Sequence, residues 1–402
     1  MKNLRIRKAN WSLPLVFSFL LLSIVTRLFY NGEVLGLDYN LYYPDGVCYT
    51  AHAYEFSGLT PEGAWSKTLD EYQKYDAKYS TLSSELRPDS CVSVQARIIY
   101  PLLSAPFISN YGLAGMLVVP VIAVLLGILF IYFALRRLGL SEISIVVGLF
   151  ALSASSSFLR WNIGNLPESL LFLWTSISLF LLVSFTPRDL SHRKAIFYIS
   201  SLIGLIIISA VTKRSAHFWT ILFSVIALIL ILNKDRMKRP LLLGIPIMLI
   251  SITWIADRLA GALLGGQNSL WIATTATSCL KGIQVSVNPG NVTAPLGCEN
   301  LTQNALKNMW NFALNEIGQL AVLDKPLFLL CGVLIIGVLL RWREVGPIAQ
   351  ICFLVSICTF GATMLNATLG LNFRLMTPAL PYLIMGAVMV IDQLIAKARA
   401  RI

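Results

Sequence analysis

The chain has 402 residues, 56% of them hydrophobic and 13% charged, with a mean hydropathy of +0.71; that balance excludes a disordered chain and argues against an ordinary water-soluble globule. Its apolar stretches are continuous rather than alternating, which disfavours an outer-membrane barrel and leaves helices as the expected spanning elements. A formal charge of +12 would suggest nucleic acid in a soluble protein, but here the placement of the charges decides their meaning.

A helix crosses about 30 Å of hydrocarbon with about 20 apolar residues. Ten largely uncharged runs of near that length follow in order, at 13–30, 113–135, 141–159, 166–185, 195–211, 215–232, 241–256, 326–340, 345–365 and 376–391. The first lacks a convincing small-residue cleavage site and reads as an anchor rather than a signal peptide. A further apolar piece, 98–110, contains Pro101 and Pro106; it is too short to span and reads as an interfacial helix leading into the second run. The expected fold is an all-α polytopic membrane protein, one transmembrane domain over 1–402 with two long inter-span segments, 31–97 and 257–325.

Lys and Arg in short loops stay on the cytoplasmic side. With the N-terminus inside, that side receives 18 of the 32 basic residues and 5 of the 20 acidic ones. The basic surplus is then topogenic and requires no nucleic acid. Both termini are expected in the cytoplasm and both long segments outside. Each long segment holds two cysteines, Cys48 with Cys91 and Cys279 with Cys298, whereas Cys331, Cys352 and Cys358 fall in spans. That placement suits disulfides in an oxidising compartment, the alternative being thiols placed by chance, and sequence alone does not fix the pairing.

The middles of the runs carry no ionisable group: Arg27, Glu142, Glu168, Asp257 and Asp392 lie near run ends. A proton- or ion-coupled transporter therefore has no visible relay. No dinucleotide, P-loop, zinc-protease or nucleophile-elbow motif occurs, and His52, His192 and His217 are too scattered to suggest a metal site. The outer face offers more. Pro44-Asp45-Gly46 reads as a turn feeding a helix, and Asp45, Tyr49 and His52 recur at i, i+4 and i+7, on one helical face. Asp45 there is either a base or a helix cap. Arg160, Lys213, Arg214 and Arg374 fall in short outer turns, against the topogenic bias. With Arg97 they form a candidate cationic ring at the depth of lipid phosphates, for which the bland alternative is headgroup contact.

These residues resemble the C-type (GT-C) glycosyltransferases, multi-spanning enzymes that use a polyprenyl-phosphate-linked sugar. Asp45, Tyr49 and Ala53 are similar to the family's D-x-x-x-Y-x-x-x-A arrangement; Arg97-Ile-Ile-Tyr-Pro, Asn165-Leu-Pro-Glu-Ser, Thr212-Lys-Arg-Ser and Phe373-Arg-Leu-Met-Thr-Pro resemble recurrent segments of such chains. The sequence departs from the common acidic pair, since Gly46 follows Asp45. Glu33 and Asp38 therefore stay as rival carboxylates, and dependence on a divalent cation stays open.

The resemblance implies an inverting enzyme of the cell envelope, in the plasma membrane if the source is bacterial. It would move a hexose or pentose from a polyprenyl-phosphate donor to a glycan, lipid or protein acceptor on the extracytoplasmic face. Asp45 would be the general base, Lys213, Arg214 and Arg374 would bind the donor phosphate, and Arg97 would assist. Tyr49, His52, Arg160 and Glu168 are candidate substrate contacts. Tyr42, Tyr43, Tyr49 and Trp65 either stack on sugars or form the core of a loop subdomain. A flippase or exporter of lipid-linked sugars would need an internal repeat and a polar passage at mid-membrane, neither of which is visible. A surface-polysaccharide polymerase or ligase would keep its chief catalytic groups in a large late loop.

Overall fold

The computed structural model describes residues 11–29, 33–34, 37–38, 41–43, 46–75, 97–184, 192–213, 314, 317–318, 321–322, 324–341, 344, 346–367 and 373–400. Among them every element is helical except a minimal antiparallel ribbon, β1 (Glu33–Val34) with β2 (Leu37–Asp38). Its register sets the backbone of Glu33 opposite that of Asp38.

Three helical stretches are long and apolar enough to cross a membrane: Ser12–Phe29, Ile99–Arg137 and Met376–Arg399. A fourth is counted if α6 (Glu142–Ser153) and α7 (Ser156–Asn162) are taken as one bent span. The remaining apolar helices among the described residues are shorter. This architecture is consistent with a helical membrane protein. Ten full-length spans are not seen among the described residues, and the expected runs 215–232 and 241–256 lie outside them.

The first of these, α1 (Ser12–Phe29), shows how such a helix is divided. Val16, Leu20 and Ile24 repeat every four residues and are buried, while Leu15, Leu22 and Val25 are exposed. One stripe of a mostly apolar helix thus meets protein, and the other is left for lipid.

Two expectations are corrected. The piece 98–110 is not a separate interfacial helix. After α2 (Gly46–Phe56) and α3 (Pro61–Tyr75) come α4 (Ile99–Tyr111), a 3-10 turn (Gly112–Leu117) and α5 (Val118–Arg137), and these last three form one helical stretch of 39 residues. Pro101 sits in the first turn of α4, where no intrahelical N–H bond is needed, so it does not stop the helix. The run 141–159, expected as one span, is bent by 62° between α6 and α7. Ser155 caps α7 by accepting from Phe158 N at 3.0 Å, and Asp324 accepts from Ser155 Oγ at 2.6 Å and Ser157 N at 2.8 Å. These side-chain bonds compete with helix continuation.

Behind them lie α8 (Glu168–Ser184), α9 (His192–Thr212), α10 (Lys325–Arg341), α11 (Pro347–Ala367) and α12 (Leu380–Arg399), the last entered through a 3-10 turn (Phe373–Ala379). The packing of α5 on α8 depends on Gly127, where a Cβ would lie 2.5 Å from the Phe172 ring. The first half of α12, from Leu380 to Val388, is buried against α6, α8, α10 and α11.

Polar groups collect at the two ends of this bundle. At one, Arg136 pairs with Glu142 at 2.8 Å and Lys397 with Glu344 at 2.6 Å, and Asp392 accepts from Ser141 N and Ser144 Oγ at 3.0 and 2.8 Å. These are residues assigned to the cytoplasmic side by charge. α6 leads away from that end and delivers the chain to the groups described next.

Candidate functional site

α2 starts at Gly46, immediately after Asp45 in the chain; Asp45 itself lies outside the described residues, as do Arg214, Cys91, Cys279 and Cys298. The residues on either side of Pro44-Asp45 are described and tightly held. Gly46 N donates to Tyr43 O at 2.8 Å. Tyr43 N donates to Asn165 Oδ1 at 2.8 Å, and Asn165 N donates to Leu41 O at 3.0 Å. Asn165 Nδ2 in turn donates to Tyr72 OH, which donates to Tyr43 O at 3.5 Å. Asn165 is completely buried and satisfied on both atoms of its amide. A Cβ at Gly46 would collide with that amide. Position 46 therefore has no room for a side chain while Asn165 keeps its bonds.

The tyrosines of the first loop form its core rather than an open sugar platform. Tyr42 and Tyr43 are buried; Tyr42 meets Tyr75 edge-on at 4.4 Å and Tyr43 stacks on Trp161 at 5.3 Å. Tyr43 OH also donates to Arg160 O at 2.9 Å. Burial and the Tyr75 and Glu71 side chains push the Tyr42 hydroxyl above the usual phenol range. Burial, the hydrogen bond from Tyr54 OH to Glu71 Oε1 at 2.6 Å and that carboxylate's charge do the same for Tyr54. These phenols stay protonated at neutral pH and do not act as bases.

Arg97 precedes α4, half-buried, and its Nη1 donates to Tyr49 OH at 2.7 Å. Tyr49 is buried and packs edge-on against Tyr100 at 5.6 Å. Among the described residues the buried Nε of Arg97 has no hydrogen-bond partner, and Arg97 forms no ion pair. His52 Nδ1 lies 3.0 Å from Glu55 Oε2 along α2. The Arg160 guanidinium lies 4.7 Å from the Trp161 ring centroid, in cation–π contact.

Lys213, at the end of α9, is buried, and its Nζ lies 2.5 Å from Oε1 of the buried Glu168 at the start of α8. Both charges suit their helix termini, a carboxylate at an N-terminus and an ammonium at a C-terminus. Arg374 lies in the 3-10 turn Phe373–Ala379, which packs against α7 and α8. Cys48 is disulfide-bonded. Among the described residues no group of three or more His, Cys, Asp and Glu could hold a metal ion.

Of the sequence-predicted residues, the structure brings Tyr49 to Arg97 and Glu168 to Lys213, and ties the first loop to Arg160 through the bond from Tyr43 OH to its carbonyl. Sequence reasoning did not name Tyr72, and named Asn165 only as the head of the Asn165-Leu-Pro-Glu-Ser segment, with no role of its own. Both are uncharged, and the search for chemistry followed charge. The available signal was Gly46 itself, a glycine opening a helix. Comparison with protein-family models, curated proteins and solved structures finds nothing that matches this chain.

Proposed function

We propose that the chain is an integral membrane glycosyltransferase of the GT-C type, moving a hexose or pentose from a polyprenyl-phosphate donor to a glycan, lipid or protein acceptor. In this reading it crosses the membrane ten times with both termini in the cytoplasm, and the end bearing Asp45 is extracytoplasmic. Asp45 takes the proton of the acceptor hydroxyl; the freed oxygen attacks the anomeric carbon as the bond to the phosphate oxygen breaks, and polyprenyl phosphate leaves with the electron pair. One carboxylate suffices for this single displacement, so configuration inverts. Arg97, Lys213, Arg214 and Arg374 bind the phosphate as its charge grows.

The observation that carries the reading is Arg97. Its half-buried guanidinium is hydrogen-bonded to the phenol of Tyr49, on the helix that follows Asp45, and forms no ion pair among the described residues. A half-buried positive charge with no acid paired to it among the described residues is suited to a bound anion. The gathering of Arg160 and the Glu168–Lys213 pair at the same end of the bundle supports it.

The test is incubation of purified protein with a polyprenyl phosphate carrying radiolabelled mannose, glucose or arabinose and a crude envelope acceptor extract. Wild type transfers label from one of these donors and Asp45→Asn does not. Retained transfer in the variant removes Asp45 as the base; absence of transfer by wild type from every donor removes the enzyme class.

A further inference from the structure

We infer that Asn165 is the positioning residue for the carboxylate-bearing turn, an inference that rests on the transferase reading only in taking Asp45 as the base. The argument comes from the two residues that flank Pro44-Asp45. On the N-terminal side, the Tyr43 backbone is gripped twice by one buried polar ring: its N–H bonds Asn165 Oδ1 at 2.8 Å, and its carbonyl accepts from Tyr72 OH, which itself accepts from Asn165 Nδ2. On the C-terminal side, the Asn165 amide lies against the Cα of Gly46, leaving no space for a Cβ. A single side chain therefore constrains the backbone immediately before and immediately after the candidate base.

Asn165 is itself rigidly held. It is 0% exposed, its own N–H is bonded to Leu41 O at 3.0 Å, and it stands between Gly164 and the first turn of α8. A Cβ at Gly164 would lie 2.8 Å from the Tyr43 ring and 3.2 Å from Leu41 O, so the loop seats on this turn through backbone as well as side chain. The Tyr43 ring closes the seat by stacking on Trp161. An amide suits this place because it must accept from one group and donate to another, both out of water. An isosteric aspartate offers no donor, and a leucine satisfies neither partner.

Positioning, as distinct from general support of the loop, is expected to act on turnover more than on substrate binding. A displacement of about 1 Å at the reacting groups costs on the order of a hundredfold in rate.

The experiment uses full-length protein in lipid nanodiscs and the variants Asn165→Ala, Gly46→Ala and the double variant. The first readout needs no activity: carbodiimide coupling of glycine ethyl ester to Asp45, followed by mass spectrometry across pH, with the exposed Glu62 of α3 as internal reference. Asn165→Ala is expected to change the coupling rate at Asp45 severalfold and leave Glu62 unchanged. Gly46→Ala is expected to do the same by pushing the amide aside. The double variant is expected to fall short of the sum of the two, because the new methyl fills space the amide has vacated. The second readout is transfer from the radiolabelled polyprenyl-phosphate sugar, for which Asn165→Ala lowers kcat about a hundredfold with KM within about twofold.

Coupling at Asp45 that is unchanged in both single variants overturns the inference, as does a strictly additive double variant. Absence of transfer by wild type defeats the transferase reading alone, since the coupling data still decide the role of Asn165. If Asn165→Ala fails to fold, Tyr72→Phe, which removes one hydroxyl from the ring, takes its place beside Gly46→Ala; wild-type coupling in both then overturns it.

Discussion

Asp324 accepts a hydrogen bond from the hydroxyl of Ser155 at 2.6 Å, tying the start of α10 to the break between α6 and α7. The same carboxylate accepts from Ser157 N at 2.8 Å and from Leu327 N at 3.3 Å, so one side chain caps two helices. Truncation by Asp324→Ala leaves two helix amides and a hydroxyl without this acceptor in a buried setting. The expected loss is about 2–3 kcal/mol of stability, read as a lower thermal midpoint in detergent with the 62° break as the first region to gain amide exchange.

The same carboxyl gives a pH dependence. Burial outweighs its hydrogen bonds from Ser155, Ser157 and Leu327 and raises its pKa above the ordinary carboxylate value of 3.8. A group with a raised folded-state pKa binds its proton more tightly when folded, so its stabilisation is full below the unfolded pKa and is lost as pH rises through the folded one. Wild type should therefore lose ground against Asp324→Asn on going from acid towards neutral pH. A difference in thermal midpoint between the two that stays flat over that range would contradict the raised value.

How much of this was legible beforehand depends on what kind of signal each residue carries. Runs of apolar side chains located α1, α5, α8, α10, α11 and α12, because burial in lipid or protein makes the same demand on composition wherever it occurs. The α6–α7 break was invisible to hydropathy, which averages over Ser153-Ala-Ser-Ser-Ser157; the serines and a partner acid 167 residues away from Ser157 set the bend. Arg97, Arg160, Glu168 and Lys213 stood out by charge, but their pairings did not. Nothing in spacing announces that Lys213 meets Glu168 or that Arg97 meets Tyr49, since both contacts depend on how the helices pack.

Gly46 offers a direct test of how closely the Asn165 amide fills the space beside it. Placing an acid there with Gly46→Asp is expected to impair the protein, because the new Cβ displaces the Asn165 amide and breaks its bonds to Tyr43 and Tyr72. The cost is about 2–4 kcal/mol from overpacking together with unsatisfied buried groups. A thermal midpoint equal to wild type, or a gain of sugar transfer, would show that the site accommodates two acids.

Arg97 and Tyr49 separate anion binding from support. Arg97→Ala should weaken binding of a polyprenyl phosphate by about tenfold, the value of one charge-assisted contact of about 1.4 kcal/mol. Tyr49→Phe keeps the guanidinium and the ring contact with Tyr100 and removes one hydrogen bond, so its effect should be smaller than that of Arg97→Ala. Equilibrium binding of fluorescent polyprenyl phosphate measures both, and equal losses would mean that the guanidinium acts only by holding Tyr49.

The Glu168–Lys213 pair is the hardest member of the proposed cationic ring to test by simple truncation. Both residues are buried, at 0% and 4% exposure, so Lys213→Ala removes the ammonium that compensates a desolvated carboxylate. That loss is expected to cost about 3–5 kcal/mol by itself, and a fall in donor binding would then report misfolding as readily as a lost phosphate contact. Replacing the pair together resolves the two. Glu168→Gln with Lys213→Met removes both charges at similar volume, and its thermal midpoint should lie above that of either single variant, since neither buried charge is then left without its 2.5 Å partner. If donor binding falls in this stable double variant, Lys213 contacts the phosphate in addition to bracing α8 against α9. If binding is retained, its function is confined to that brace and the anion site reduces to the arginines.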